Sequence, residues 1–282
     1  MSVRSARYNL LQLRRPKSNS MQIIELDGWA FCARASTTGQ VGIRDFRQQK
    51  AVIALVRDMK NAGVYEKMKA VYPFVGGTAT THMFNLKDPR DANAAYRLSF
   101  LGGWTHSDNG ALGNGTTSYA DTFLIPANNL TAYSTHISIY IRNDTLFWKD
   151  MSSFNNNQPN NFNIGARFGT TNLFFTEHYD YLNNFVYNTN TDSRGYFLTS
   201  RTANNSMKLF KNATQFGSTV TSIATNFANL TGKMWIGREL GDSRYTNRQY
   251  AFSTIGDGLT DANVTALQSI VQRFQTSLGR QV

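Results

Sequence analysis

The chain predicts a mainly β fold, an antiparallel sandwich with a helical region before it and a helix after it. Ile137, Ile139 and Ile141 alternate with Ser138 and Tyr140, the period-two pattern of a half-buried strand. Between residues 80 and 256, short strand candidates are separated by turn signals at Asn109-Gly110, Asn114-Gly115 and Gly241-Asp242. Such punctuation fits a sandwich better than alternating strands and helices. At the end of the chain, Val264, Leu267, Ile270, Val271, Phe274 and Leu278 recur at helical spacing as one apolar stripe.

A chain of 282 residues can hold one large sandwich with an appendage, or two modest domains. Apolar residues make up 41% and aromatic residues 13%, enough for a substantial core, while only 17% are charged. Cys32 stands alone, so no intrachain disulfide contributes and stability rests on packing or assembly. The net charge of +11 is uneven, because Arg4, Arg7, Arg14, Arg15 and Lys17 all precede the first acidic residue, Glu25. Such a cluster suits an anionic surface, or is simply a solvated tail.

The elements follow in order. Residues 1–45 read as a basic N-terminal arm and anchoring segment. Residues 21–35 are apolar in part, but Glu25 and Asp27 interrupt what a secretion signal would keep uncharged. No apolar run approaches the ~20 residues that span a bilayer, so neither Sec export nor a membrane location is expected. Residues 46–71 read as a helical strut. Asp45 and Gln48 suit a capping box, Val52, Leu55, Val56 and Met59 share a face, and Gly63 ends the helix. Residues 65–71 are expected to add a further turn before Pro73. Such a strut suits packing or oligomerisation, and a homo-oligomer is expected.

Residues 72–282 form the sandwich with its terminal helix. Tyr196–Arg201 and Met207–Lys211 flank Asn204-Asn205 as a hairpin, and Met234–Gly237 and Tyr250–Ile255 are further strands. The Asn-rich stretch Met151–Asn163 reads as a surface loop without strand pattern. Thr260 is a suitable N-cap for the last helix and Gly279 closes it.

Residues 72–106 carry the most specific pattern. Gly76-Gly77 after Tyr72-Pro73 forces a turn, and Lys87-Asp88-Pro89-Arg90-Asp91 makes a second. Around them lie Met83, Phe84, Leu86, Tyr96, Leu98, Phe100 and Trp104. This stretch resembles a signature of tailed-bacteriophage structural proteins with concanavalin A-like or laminin-G-like jelly rolls. The run MKLFKNATQFGS is similar to the laminin-G hairpin, and residues 254–282 are similar to the far end of the same family. The resemblance covers about residues 64–282 and leaves residues 1–45 outside. It implies an antiparallel jelly-roll sandwich in a virion, used as fibre, spike or capsid decoration, with capsid or tail proteins as partners. It also leaves open a module that binds surface glycans on a host.

Chemistry is sparse. A retaining glucanase on such a fold needs two carboxylates about 5–5.5 Å apart, and the Glu-x-Asp-x-x-Glu spacing of related enzymes is absent. Glu177 and Tyr179 should share one strand face, His178 and Asp180 the other; the second pair is a candidate acid–base couple, or a surface hydrogen bond. No catalytic residue, no enzyme activity and no cofactor are expected. His82, His106, His136 and His178 are too scattered for a metal motif, and a calcium site stays open. The glycine pairs lack the lysine and serine of a phosphate loop. For glycans, Trp148, His178, Tyr179, Asp180 and Tyr181 combine aromatic faces with polar groups, whereas Trp29, Trp104 and Trp235 read as core. Arg4, Arg7, Arg14, Arg15 and Lys17 are expected to dock on an acidic groove of another virion protein. No aromatic or base-reading pattern accompanies them, so nucleic acid is not the expected partner, although a lumenal arm touching the genome is the alternative.

Overall fold

The computed structural model describes residues 19–34, 43, 45–154, 161–178, 185–222, 230–239 and 244–282. The basic residues expected to anchor the chain, Arg4 to Lys17, lie outside them. Seventeen strands run through the described residues. They are β1 (Met68–Tyr72), β2 (Ser99–Leu101), β3 (Thr105–Ser107), β4 (Gly110–Leu112), β5 (Tyr119–Asp121) and β6 (Thr135–Ile141). Next come β7 (Met151–Phe154), β8 (Asn161–Phe168), β9 (Leu173–His178), β10 (Phe185–Thr189), β11 (Gly195–Ala203) and β12 (Ser206–Lys211). The series ends with β13 (Thr214–Gln215), β14 (Trp235–Ile236), β15 (Arg238–Glu239), β16 (Arg244–Tyr245) and β17 (Gln249–Gly256).

These strands build two antiparallel sheets packed face to face. The eight-stranded sheet runs β13-β12-β11-β6-β17-β4-β3, with β1 also paired to β17. The seven-stranded sheet runs β10-β9-β8-β7-β14-β5-β2, and β15-β16 is a separate hairpin. Strand side chains alternate between faces, so Ile137, Ile139, Ile141 and Phe197 meet Phe162, Ile164, Phe174 and Ile236 between the sheets. The opposite face of the eight-stranded sheet is also apolar, carrying Tyr140, Tyr196, Leu198, Phe210 and Phe252. A two-sided apolar sheet must be covered twice.

Three helices cover it: α1 (Asn19–Arg34), α2 (Phe46–Asn61) and α3 (Asp261–Ser277). In α3, Val264, Leu267, Val271 and Phe274 are buried, as the stripe predicts. The Thr260 side chain caps the helix by accepting from Asn263 N, and Gly279 (φ +68) turns the chain away. Beyond it the fully buried Arg280 donates to the carbonyls of Pro73, Phe74 and Ala251 and to Gln275. One side chain thus ties the chain end to the Tyr-Pro-Phe segment and to β17. Burial pulls its guanidinium down to about 9.

Four local expectations need correction. Within 1–45, residues 19–34 are helical, and Gly28 lets α1 approach α2 so closely that a Cβ there would meet Ile53 Cα at 3.0 Å. No clear apolar stripe marks this helix, so the pattern did not show it. Residues 68–71 belong to β1 rather than to a helical turn, because β17 has a free edge for them. Asp45 caps α2 through Arg47 N, but Gln48 does not close a box; it bonds Gly76 N and Asp108 instead. The stretch 151–163 contains β7 and the start of β8, since Asn161 and Asn163 alternate with Phe162 and Ile164. The hairpin at Lys211 is as expected, with Asn212 and Ala213 both at positive φ, which suits a primed two-residue turn.

Candidate functional site

The outer face of the seven-stranded sheet is polar and aromatic. Strand register puts Glu177, Asn163, Ser152, Trp235 and Asp121 in one row across β9, β8, β7, β14 and β5. Residues in such a row share a face and touch their neighbours. Asn163 donates to Glu177, and Lys149 Nζ lies 3.6 Å from Glu177 and 3.1 Å from Glu239. Arg244 Nη1 lies 3.0 Å from the other oxygen of Glu239. Two cations and two carboxylates therefore balance in a chain whose Lys149, Glu177 and Glu239 are nearly buried and whose Arg244 end is 36% exposed, which is the condition for holding the inner charges away from water. The two carboxylates, 62 positions apart in sequence, were not legible as a pair from local spacing.

The β15-β16 hairpin places its residues by cross-strand pairing, Arg238 opposite Tyr245 and Glu239 opposite Arg244. The Arg238 guanidinium sits 4.8 Å from the Tyr119 ring, 4.6 Å from Trp235 and 5.2 Å from Tyr245. Three aromatic faces around one cation form a rigid cage. Trp235 is thus a half-buried member of the outer face, not a core residue as its apolar neighbours suggest. Among the described residues, Asn163 Oδ1, Trp235 Nε1 and Arg238 Nε are buried with no hydrogen-bond partner.

At one end of this face is a cavity of about 400 Å³ lined by Gly115, Trp148, Thr170, Arg244, Tyr245 and Asn247 among others. The Arg244 guanidinium lies 3.4 Å from the Trp148 ring centroid, and Phe168 packs edge-on to the same ring at 4.4 Å. Trp148 therefore acts as a platform that fixes Arg244. The cavity offers a guanidinium, a phenol, an amide and a hydroxyl, arranged around an aromatic edge. Groups of this kind bind hydroxyl-rich ligands.

Of the five residues expected to meet glycans, the structure places one at this cavity, Trp148. His178 is a correction. It points between the sheets, fully buried, with Nε2 3.0 Å from Thr199 Oγ1 and its ring edge-on to Phe162. Burial, reinforced by the charge of Arg201, holds its imidazole well below the usual histidine range. Alternation is the reason: if Glu177 faces out, His178 faces in. Tyr179, Asp180 and Tyr181 lie outside the described residues. Arg244, Tyr245 and Asn247 join Trp148 in lining the cavity, a placement that an Arg-Tyr pair in a loop-rich segment does not announce in sequence. The histidines are less scattered than the sequence suggests, since His82 Nδ1 lies 2.9 Å from His106 Nδ1. No group of three or more His, Cys, Asp or Glu able to hold a metal occurs among the described residues.

No protein-family model and no curated protein matches the chain. Among solved structures it is similar to domain 4 of AbnA, a GH43 extracellular arabinanase from Geobacillus stearothermophilus, in complex with arabinotriose. That likeness has 15% identity and a TM-score of 0.50, covering 72% of this chain and 98% of that one. It is also similar to a mutant of Trypanosoma rangeli sialidase displaying trans-sialidase activity, with 10% identity and a TM-score of 0.53. That match covers 80% of this chain but only 39% of the sialidase. At these identities the likeness is one of fold: the chain is an antiparallel β-sandwich of the kind found in both.

Proposed function

We propose that the chain is a non-enzymatic glycan-binding sandwich and that its sugar site is the cavity at Trp148, Arg244, Tyr245, Thr170 and Asn247. The carrying observation is the Trp148–Arg244 stack in a cavity of about 400 Å³, within the usual range for small-ligand sites. The similar arabinanase domain holds arabinotriose, so a sugar ligand is compatible with the fold. Against catalysis, Glu177 and Glu239 are both tied to Lys149 and nearly buried, which leaves neither placed as acid or nucleophile beside an open cavity.

The setting we propose is a bacteriophage particle, with the sandwich displayed and the N-terminal region docked to a capsid or tail protein. The resemblance over residues 64–282 supports this reading. A glycan array, followed by calorimetry on any sugar it finds, tests the binding. Tyr245→Ala and Asn247→Ala should each weaken binding about ten-fold or more, in line with the loss of one or two hydrogen bonds to a ligand. An array without a hit, or variants that bind as the parent does, would overturn it. A reducing-sugar release assay on the same preparation tests for turnover, and activity abolished by Glu177→Gln would show an enzyme.

A further inference from the structure

The antiparallel pair α2 and α3 leaves a groove on its solvent side, on the far side of the molecule from the Trp148 cavity. We propose that this groove docks an acidic amphipathic helix from a partner protein. Its volume is about 560 Å³, and Ala51, Ala54 and Phe274 are among the residues that line it. Small residues at Ala51 and Ala54 let another helix come close. Phe46, 61% exposed, stands at one end with Lys50 Nζ 4.3 Å from its ring centroid. From Phe46 to Arg57 the groove follows α2 for about three turns, or roughly 17 Å.

The rim decides the occupant. Arg47, Lys50 and Arg57 line it from α2 and Arg273 from α3. Against these four cations stand Asp58 on the groove, held by Arg57 at 3.0 Å and Arg273 at 3.2 Å, and Glu25 of α1, 3.9 Å from Arg57, so the rim keeps an excess of positive charge. The chain's own N-terminal segment carries five cations and no acid before Glu25, so charge repels it. A second copy would present the same cationic rim. An acidic helix with one apolar face satisfies both floor and rim, and helix-in-groove docking of this kind reads i, i+3/i+4 and i+7 anchors. The inference is independent of the glycan reading, since it concerns the opposite face.

The test uses the full chain and a labelled synthetic helical peptide of about 15 residues. The peptide has leucine on one face and glutamate elsewhere, and a control keeps the leucines with lysine in place of glutamate. Fluorescence anisotropy should show the glutamate peptide binding at least ten-fold tighter than the lysine peptide, with the preference shrinking in high salt. The double change Lys50→Glu/Arg57→Glu should reverse that preference, and Ala54→Trp should block both peptides while circular dichroism stays unchanged. Equal binding of the two peptides, no binding below millimolar, or indifference to both variants would overturn the proposal. So would a dimer in sedimentation that Ala54→Trp abolishes, or peptide binding that emerges only after residues 1–18 are deleted. Those two results would give the groove to a second copy or to the chain's own arm.

Discussion

The Arg244 guanidinium rests on the face of Trp148, 3.4 Å from the ring centroid. The contact joins two parts of the chain nearly a hundred residues apart, and it makes the tryptophan a support for a cation. Arg244 is also the end of an ionic chain through Glu239 and Lys149 to Glu177. The cavity is therefore linked by ion pairs to β9 on the outer face of the sheet.

Trp148→Ala should free Arg244 and weaken sugar binding about two- to five-fold, since a cation–π contact whose cation is 36% exposed is worth on the order of 0.5–1 kcal/mol. Trp148→Phe should recover part of the loss. Calorimetry on a sugar identified by array reads both. If Trp148→Ala binds as tightly as the parent, the stack plays no part in recognition.

Phe274 is 3% exposed and packs edge-on against Phe252 of the sheet, with ring centroids 6.0 Å apart. Phe274→Ala should destabilise the fold by about 3–5 kcal/mol, through lost burial and the cavity left behind. Urea unfolding followed by tryptophan fluorescence measures it. A loss below ~1 kcal/mol would mean that α3 is peripheral to the cooperative unit.

Asp150 and Arg248 form an ion pair with both side chains at 0% exposure. Asp150 also accepts from Ala166 N and Tyr250 OH, while Arg248 donates to the carbonyls of Thr145 and Arg167. Asp150→Ala leaves a buried guanidinium without its counterion and should cost about 3–5 kcal/mol. The double change Asp150→Leu/Arg248→Met should cost less than the single one, because no unpaired charge remains. Denaturation midpoints of the three variants settle the order.

His136 donates Nδ1–H to the Asp257 carbonyl at 2.6 Å, and Nε2 lies 3.0 Å from Thr254 Oγ1. Burial pulls its imidazole down to about 4, against ~6.5 in the unfolded chain. Unfolding therefore takes up a proton between those values. The stabilising contribution of neutral His136 is complete above ~6.5 and is lost as the pH falls toward 4, by at most roughly 3 kcal/mol. His106, likewise pulled down to about 4 by burial, adds to the same trend. Stability measured between pH 7 and 4.5 should fall less steeply for His136→Gln than for the parent; parallel profiles would contradict the assignment.

Local pattern alone determined much of this molecule. The isoleucine alternation of β6, the hairpin at Asn204-Asn205 and the stripe of α3 each arise from neighbours within a few residues. Their side-chain period or turn chemistry is written in a short window. The sequence also singled out Trp148 by its aromatic character beside polar loops, and the structure places it at the lining of a cavity. Tertiary structure alone decided the rest. Whether His178 or Glu177 faces the core depends on which face of β9 meets the opposite sheet, and a one-residue shift reverses it. The Glu177–Lys149–Glu239–Arg244 chain and the Arg238 cage join strands remote in sequence, so no spacing announces them. Residues 68–72 became β1 because β17 offered an edge, and residues 19–34 became helix where α2 offered a surface. Pairing partners, unlike periods, are set only when the whole chain has folded.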